Sequence, residues 1–503
     1  MYKLGALDAG FLYNESERCP QHIASVQILE LPDDTDREDF VAQLKALLLE
    51  RIHLVPYFTN KLQFVPFNLD HPVWVKDLAF DIDNHVRQAE VAAPGGRREL
   101  EAKVAEIHVE PLDRSRPLWD LWVLTGLEGG RVAYYNRAHH ACLDGMAGQA
   151  MLETIMDVTP EPRRVEPAPK GFFRRDEQSN AALIAGAFEN FTRFQVKQAS
   201  EWMGHLETAA RLFQRTMDPS KGLGAVAQAA PRTRFNGAIH RERSYATGEL
   251  PLTEVKAIAK ATGTKINDVF LAICSGGLRR YLDRRGELPN ESLIAGCPVS
   301  LRQPGDASTN NQVTMMMVSF ATEETDPVRR LYKIACSSTQ AKDFTADVAD
   351  SYDSDVSWPG LPALLSAGAQ FIDGFNLADL DAVRLPCNVV VSNVPGPRLP
   401  LYSNGARVLT HYPVSIPAHA QGVNITVQSY MDQLFFAITA CAKALPDAQA
   451  LRDDMLGAFQ ELQMALKPAD AVQQNMADVA DSEVSIAAPR VADRQVEASI
   501  QAA

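Results

Sequence analysis

Two adjacent histidines, His139 and His140, lie inside the stretch YYNRAHHACLDGMAG (Tyr134 to Gly148), followed closely by Asp144 and Gly145. Imidazole has an unperturbed pKa near ~6.5, so a histidine is neutral often enough at pH 7 to accept a proton. The run RVAYYNRAHH is rich in β-branched and aromatic residues and contains no breaker, which predicts a strand running into a loop at ACLDG. Successive strand side chains point to opposite faces, so His140 shares a face with Ala138, Asn136 and Tyr134, and His139 with Arg137 and Tyr135. Only one of the two can reach a given substrate. The other faces the opposite layer and reads as a hydrogen-bonded structural residue. Gly145 permits backbone angles or close approaches that a side chain would block. The motif reads as one catalytic histidine held by a structured corner.

The elements that must position this corner follow from the rest of the chain. Its 503 residues exceed what one core usually supports, so two subdomains of roughly 150 to 230 residues are expected. An apolar fraction of 46% and a charged fraction of 22% are those of a globular protein. The net charge of −14 argues against nucleic acid as a general partner. Seven cysteines at wide, irregular spacings, without a CxxC pair, argue against zinc and disulfide frameworks and for a reducing cytoplasm. The start MYKLGALDAGFLYNES lacks the apolar core of a signal peptide. No run approaches the ~18 apolar residues that cross a bilayer, so any membrane contact would be peripheral.

Residues 1–160 mix strands such as HIASVQILEL with helices such as EDFVAQLKALLLERI. TPEPRRVEPAPKG, with four prolines, marks a linker. The helical spacing that follows predicts one or two crossover helices, so that residues 161–232 join the halves. A second mixed half spans 233–467, with the strands SLIAGCPVSL, QVTMMMVSF, NVVVSNVPG and GVNITVQSYMDQLFFAITA. Residues 468–503, rich in Ala, Asp and Gln, read as a disordered tail. The fold class is α/β with mixed sheets.

HHACLDG matches an HHxxxDG signature in full, and PLDRSRPLW (Pro111 to Trp119), KINDVF, PVSLR, VSNVPGP (Val391 to Pro397) and YPVSIPAHAQGVNITVQSY accompany it. In that order and spacing the chain resembles the bacterial wax ester synthase/diacylglycerol acyltransferase family, within the superfamily typified by chloramphenicol acetyltransferase and peptide-synthetase condensation domains. The resemblance covers about residues 3 to 466. It implies two chloramphenicol-acetyltransferase-like halves joined by a helical linker, with an active-site tunnel between them.

The resemblance also implies an activity. Long-chain acyl groups would pass from acyl-CoA to fatty alcohols, to diacylglycerol, or to both, with release of CoA. His140 would be the general base, with no acyl-enzyme; His139 would orient it. Asp144 would point away from the base and pair with an arginine, for which Arg302 in PVSLRQP stands in the expected place. Asn267 and Asp268 open an apolar helix, where an acidic residue suits the dipole and a capping role is the plain alternative. Family likeness makes Asn267 a candidate donor to the thioester oxygen. With Gly145, Asp268 and Arg302 it forms the supporting set. Asn393, Pro395 and Gly396 in VSNVPGP are candidate tunnel-lining residues, though a strand-ending turn alone explains their types.

No cofactor or metal is implied, acyl-CoA being a substrate. Cys142 falls at a variable position of the motif and Trp119 reads as core; neither is assigned chemistry. KGFFRRDE, with Lys170, Arg174 and Arg175, offers either a contact with an anionic lipid surface or a solvated linker end. A cytoplasmic location follows, peripheral to the inner membrane or lipid inclusions at most. Two other readings stay open: a condensation-type enzyme with a carrier-bound donor, and a lipid-binding protein without turnover. An α/β-hydrolase is disfavoured because no GxSxG elbow is present.

Overall fold

The computed structural model describes residues 2–33, 35–142, 148, 155–174, 176–217, 224–300, 313–348, 359–380 and 385–466. Two large mixed sheets dominate. The first is ordered β12 (Tyr402–Ser403), β13 (Ala406–Val408), β2 (His22–Glu30), β7 (Val132–His139), β6 (Trp119–Thr125) and β5 (Val86–Glu90), with β14 (Tyr412–Val414) also on β2. The second is ordered β10 (Val313–Ser319), β9 (Ile294–Ser300), β11 (Val389–Val394), β15 (Val423–Tyr430), β16 (Gln433–Cys441) and β8 (Arg243–Pro251). A small third sheet joins β1 (Tyr2–Lys3), β4 (Val73–Lys76) and β3 (Asn60–Gln63).

β7 lies between β2 and β6, antiparallel to both, with His139 opposite His22. Both of its faces are covered: Tyr134 and Tyr135 point to opposite sides and each is buried. That explains why VAYYNRAH shows no polar alternation. On one face the Ile107 carbonyl of α3 (Arg97–His108) accepts from Arg137, whose guanidinium also pairs with buried Asp120 at 2.7 Å. On the other face Asn136 donates to Gln27 at 3.0 Å.

Among the described residues the linker region carries one helix of 38 residues, Asn180–Met217 (α4), within the one or two expected. α1 (Ala6–Asn14) covers the end of β7, and α2 spans Arg37–Arg51. In the second half α5 (Leu252–Thr262) and α6 (Ile266–Asp283) follow β8, with α7 (Pro327–Val348), α8 (Leu361–Gly374) and α9 (Ala448–Ala465) after them. α6 packs on α9 through Gly276 and Gly277; a Cβ on Gly277 would stand 3.0 Å from the Met455 Cα. The bare backbone there lets the two helices close.

The halves interlock. Residues 402–414 lie late in the chain yet complete the first sheet on β2. Tyr245, Tyr430 and Phe435, from second-sheet strands, belong to the core of the first. Buried Glu101 on α3 accepts from the Thr247 backbone N–H of β8 at 2.7 Å and from Gln449 of α9 at 3.0 Å.

Candidate functional site

The ladder carries β7 to its last residue: the His139 N–H donates to Leu118 O at 2.9 Å and the His140 N–H to Gln21 O at 2.8 Å. Beyond them the Cys142 N–H closes a turn on His139 O at 2.9 Å. The two imidazoles meet different surroundings.

His139 is fully buried. Its Nδ1 accepts from the Ala141 backbone N–H at 3.1 Å, and its Nε2 faces Glu15 Oε1 at 3.3 Å. An Nδ1 that accepts carries no proton, so the hydrogen-bond pattern assigns the proton to Nε2, directed at the carboxylate. Glu15 is itself clamped: Arg114 Nη2 and Nε donate to Oε2 at 2.8 and 3.0 Å, and the Gln21 N–H to Oε1 at 3.1 Å. Burial alone would raise the carboxyl pKa. The His139 N–H contact, the Arg114 charge and the Gln21 N–H together hold it down at about 2. Arg114 also donates to Leu12 O at 2.7 Å, satisfying a carbonyl at the end of α1.

His140 is half-buried, and its ring lies flat on Phe11 of α1, centroids 4.0 Å apart and planes 3° from parallel. Phe11 lies in α1 and Glu15 caps its C-terminal end, so one helix and its cap serve both histidines. Phe11, Glu15 and Arg114 were not singled out in the sequence. Their closeness in sequence gains meaning only once α1 is known to cover the end of β7.

A second group forms on the other half. Asn267, in the first turn of α6, accepts from Asn393 Nδ2 at 3.2 Å, which joins the ND and VSNVPG segments. Asp268 is buried, and its Oδ2 accepts the Lys265 N–H at 3.0 Å, closing the start of α6. Past β11 the Gly396 N–H donates to Ser429 Oγ at 3.0 Å. A Cβ on Gly396 would stand 2.0 Å from Ser429 O, so only glycine lets the turn rest on β15. Pro395 precedes it, exposed. Asp144, Gly145 and Arg302 lie outside the described residues.

Burial pushes the Cys142 thiol well up, which disfavours a thiolate. Trp119 is core: its indole donates to Phe58 O at 3.1 Å and stacks on His85. In KGFFRRDE, Phe172 folds back under Lys76, whose Nζ is 3.8 Å from the ring centroid, so this aromatic is occupied within the chain. Among the described residues no helix is long and apolar enough to cross a membrane, and no cluster of three or more His, Cys, Asp or Glu could hold a metal.

Two mixed α/β halves with a buried-histidine strand end define a class. A calcium-dependent antibiotic synthetase condensation domain shares this fold over 91% of the chain and 95% of its own length, with a TM-score of 0.55 and 14% identity. Within that fold the match is narrower. Residues 4–270 match the wax ester synthase/diacylglycerol acyltransferase catalytic domain, and residues 309–463 the C-terminal domain of the same family. The wax ester synthase/diacylglycerol acyltransferase from Marinobacter aquaeolei VT8 superposes with a TM-score of 0.65 at 26% identity, covering 92% of this chain and 99% of that one. A Mycobacterium tuberculosis (strain ATCC 25618 / H37Rv) protein, Rv1760, named as a candidate diacylglycerol O-acyltransferase, is 34% identical over 464 residues, 92% of this chain and 90% of its own. The chain belongs to the wax ester synthase/diacylglycerol acyltransferase family, and it is an acyltransferase.

Proposed function

We propose that the protein transfers long-chain acyl groups from acyl-CoA to the hydroxyl of a fatty alcohol or of diacylglycerol, with His140 as general base. The alcohol proton passes to the His140 ring as its oxygen bonds to the thioester carbonyl carbon. The C–S bond then breaks, and the CoA thiolate takes the proton back. No acyl-enzyme forms. The observation that carries this reading is the unequal placement of the two histidines: His139 has Nδ1 committed to Ala141 and Nε2 to Glu15, while the His140 ring is laid on Phe11 at the strand's end. A base whose ring plane is fixed by a stacked aromatic loses little freedom on reaching the transition state.

Asn267 serves as a donor to the thioester oxygen through its amide N–H, its Oδ1 being occupied by Asn393. Asp268 holds the start of that helix. Asn393, Pro395 and Gly396 border the tunnel, and Asp144 pairs with Arg302 to hold the loop that bears Gly145. The chain is cytoplasmic and meets lipid only peripherally. The N-terminal half spans 1–160 and the C-terminal half 233–467, with the crossover region between them.

The test is thiol release from palmitoyl-CoA by the purified protein, offered hexadecanol and diacylglycerol separately, with His140→Ala beside it. The expected result is release that depends on the alcohol and vanishes in the variant. Release with neither acceptor, or retained release in His140→Ala, would overturn the proposal; turnover only with carrier-linked donors would move the enzyme to the condensation type.

A further inference from the structure

α8 (Leu361–Gly374) is built inside out. At ~100° per residue, Leu364, Leu365, Phe371 and Ile372 fall on one arc of roughly 120°, and Phe375 just past the end continues it. All five are exposed, Leu364 to 70%. The opposite side carries buried Pro362 with half-buried Ser366 and Asp373, and the helix packs against α1. Soluble amphipathic helices do the reverse.

The stripe is also held rigidly in place. The Gly360 N–H donates to Leu69 O at 3.1 Å at one end. At the other, Asp373 meets His419 Nε2 at 3.0 Å and Arg18 donates to Asn376 Oδ1 at 2.9 Å. The Phe371 and Phe375 rings pack on each other in the open, centroids 4.5 Å apart. Beside the helix start stands Phe67, 83% exposed on the turn Pro66–Asn68, with its backbone in the left-handed region at φ 58°. A bulky residue held there and turned outward is rare.

We infer that this face, α8 with Phe67, docks the enzyme on the uncharged acyl region of a lipid surface. The inference rests on the proposed function for its partner. From Leu361 to Ile372 the chain has no charged residue, and the outward arc has no polar one. Protein interfaces surround an apolar centre with a polar rim, whereas an interfacial helix presents such a stripe to acyl chains. With a net charge of −14 the chain gains nothing overall from an anionic surface, so insertion must carry the contact. The helix directly beneath, α1, bears the Phe11 that lies on His140, so a surface seated on α8 brings a water-insoluble alcohol to within one helix of the base.

Flotation of the full chain with phosphatidylcholine vesicles tests this, at low salt and at about 0.5 M NaCl, where charge contacts are screened. The wild type floats at both. L364D/F371D floats at most about one tenth as well, and its turnover of palmitoyl-CoA falls about tenfold with vesicle-borne hexadecanol but not with dissolved hexanol. Phe67→Asp, on an exposed turn, lowers flotation about threefold without touching α8, which guards against a misfolded double variant. Equal flotation of wild type and variants overturns the inference, as does a wild type that does not float. So does binding that needs anionic lipid and is lost in salt, or a dimer split by L364D/F371D with flotation unchanged. Flotation without any acyl transfer would defeat the proposed reaction yet leave the docking face standing.

Discussion

The end of β7 and the end of β11 hold their residues by opposite means. At β7 a buried histidine and a buried carboxylate stand beside a partly exposed guanidinium, and each holds the next: Ala141 holds His139, His139 holds Glu15, and Glu15 holds Arg114. At β11 no titratable side chain does the holding. A glycine backbone rests against Ser429, and one amide contact ties Asn393 to Asn267. The first arrangement fixes His139, beside the proposed base His140, by matching a carboxylate with a guanidinium. The second positions Asn267, the proposed neutral donor, for which shape suffices. Burying charge is costly unless every partner is present, which concentrates the fragile contacts at one strand end.

Substitutions at the two ends should therefore fail differently. His140→Ala removes the proposed base, and kcat with hexadecanol should fall about 10²- to 10⁴-fold while circular dichroism stays unchanged. Asn267→Ala should lower kcat about 10²- to 10³-fold with a smaller change in KM; a change in KM alone would make the amide a helix-start residue only. For Glu15→Gln the sign follows from the carboxyl, lowered from 4.5 to about 2 in the fold. Its contribution, of order 3 kcal/mol, is fully present above pH 4.5 and is lost as pH falls toward 2. Urea unfolding of wild type and Glu15→Gln across that window should converge at the acid end; parallel curves would break the contrast drawn between the strand ends. Gly396→Ala drives a methyl into Ser429 O and should cost about 1 to 3 kcal/mol, read as a lowered melting temperature. Cys142→Ala should change kcat by less than about twofold, since a buried, protonated thiol takes no part in the transfer.

Much of this arrangement was legible in the chain because it is local. β7 and its face alternation follow from eight consecutive residues, and the turn at Gly396 from a Pro-Gly pair. The glycine-rich apolar run of α6 announces a buried helix. What stayed hidden depends on long-range closure. Glu15 and Arg114 are 99 positions apart, and neither looks unusual beside its neighbours. Phe11 is one of 21 phenylalanines, and only the docking of α1 selects it. The inverted face of α8 was readable in principle, but periodicity gives the stripe and not the direction it faces. KGFFRRDE left a lipid contact and a solvated linker end equally open, and the sequence had no means of showing that Lys76, almost a hundred residues earlier, packs on the Phe172 ring.

The strands at 402–414 have a consequence for synthesis. β2 finds β7 early, but its other edge is closed only by β13 and β14, roughly 260 residues after His139. At ~5–20 residues per second, the ribosome leaves that edge unpaired for on the order of 10 to 50 s. An open strand edge is a template for a wrong neighbour. The nascent first half therefore waits, incomplete and adhesive, for a part of the chain not yet made, and any cut of the gene between the halves would make that wait permanent.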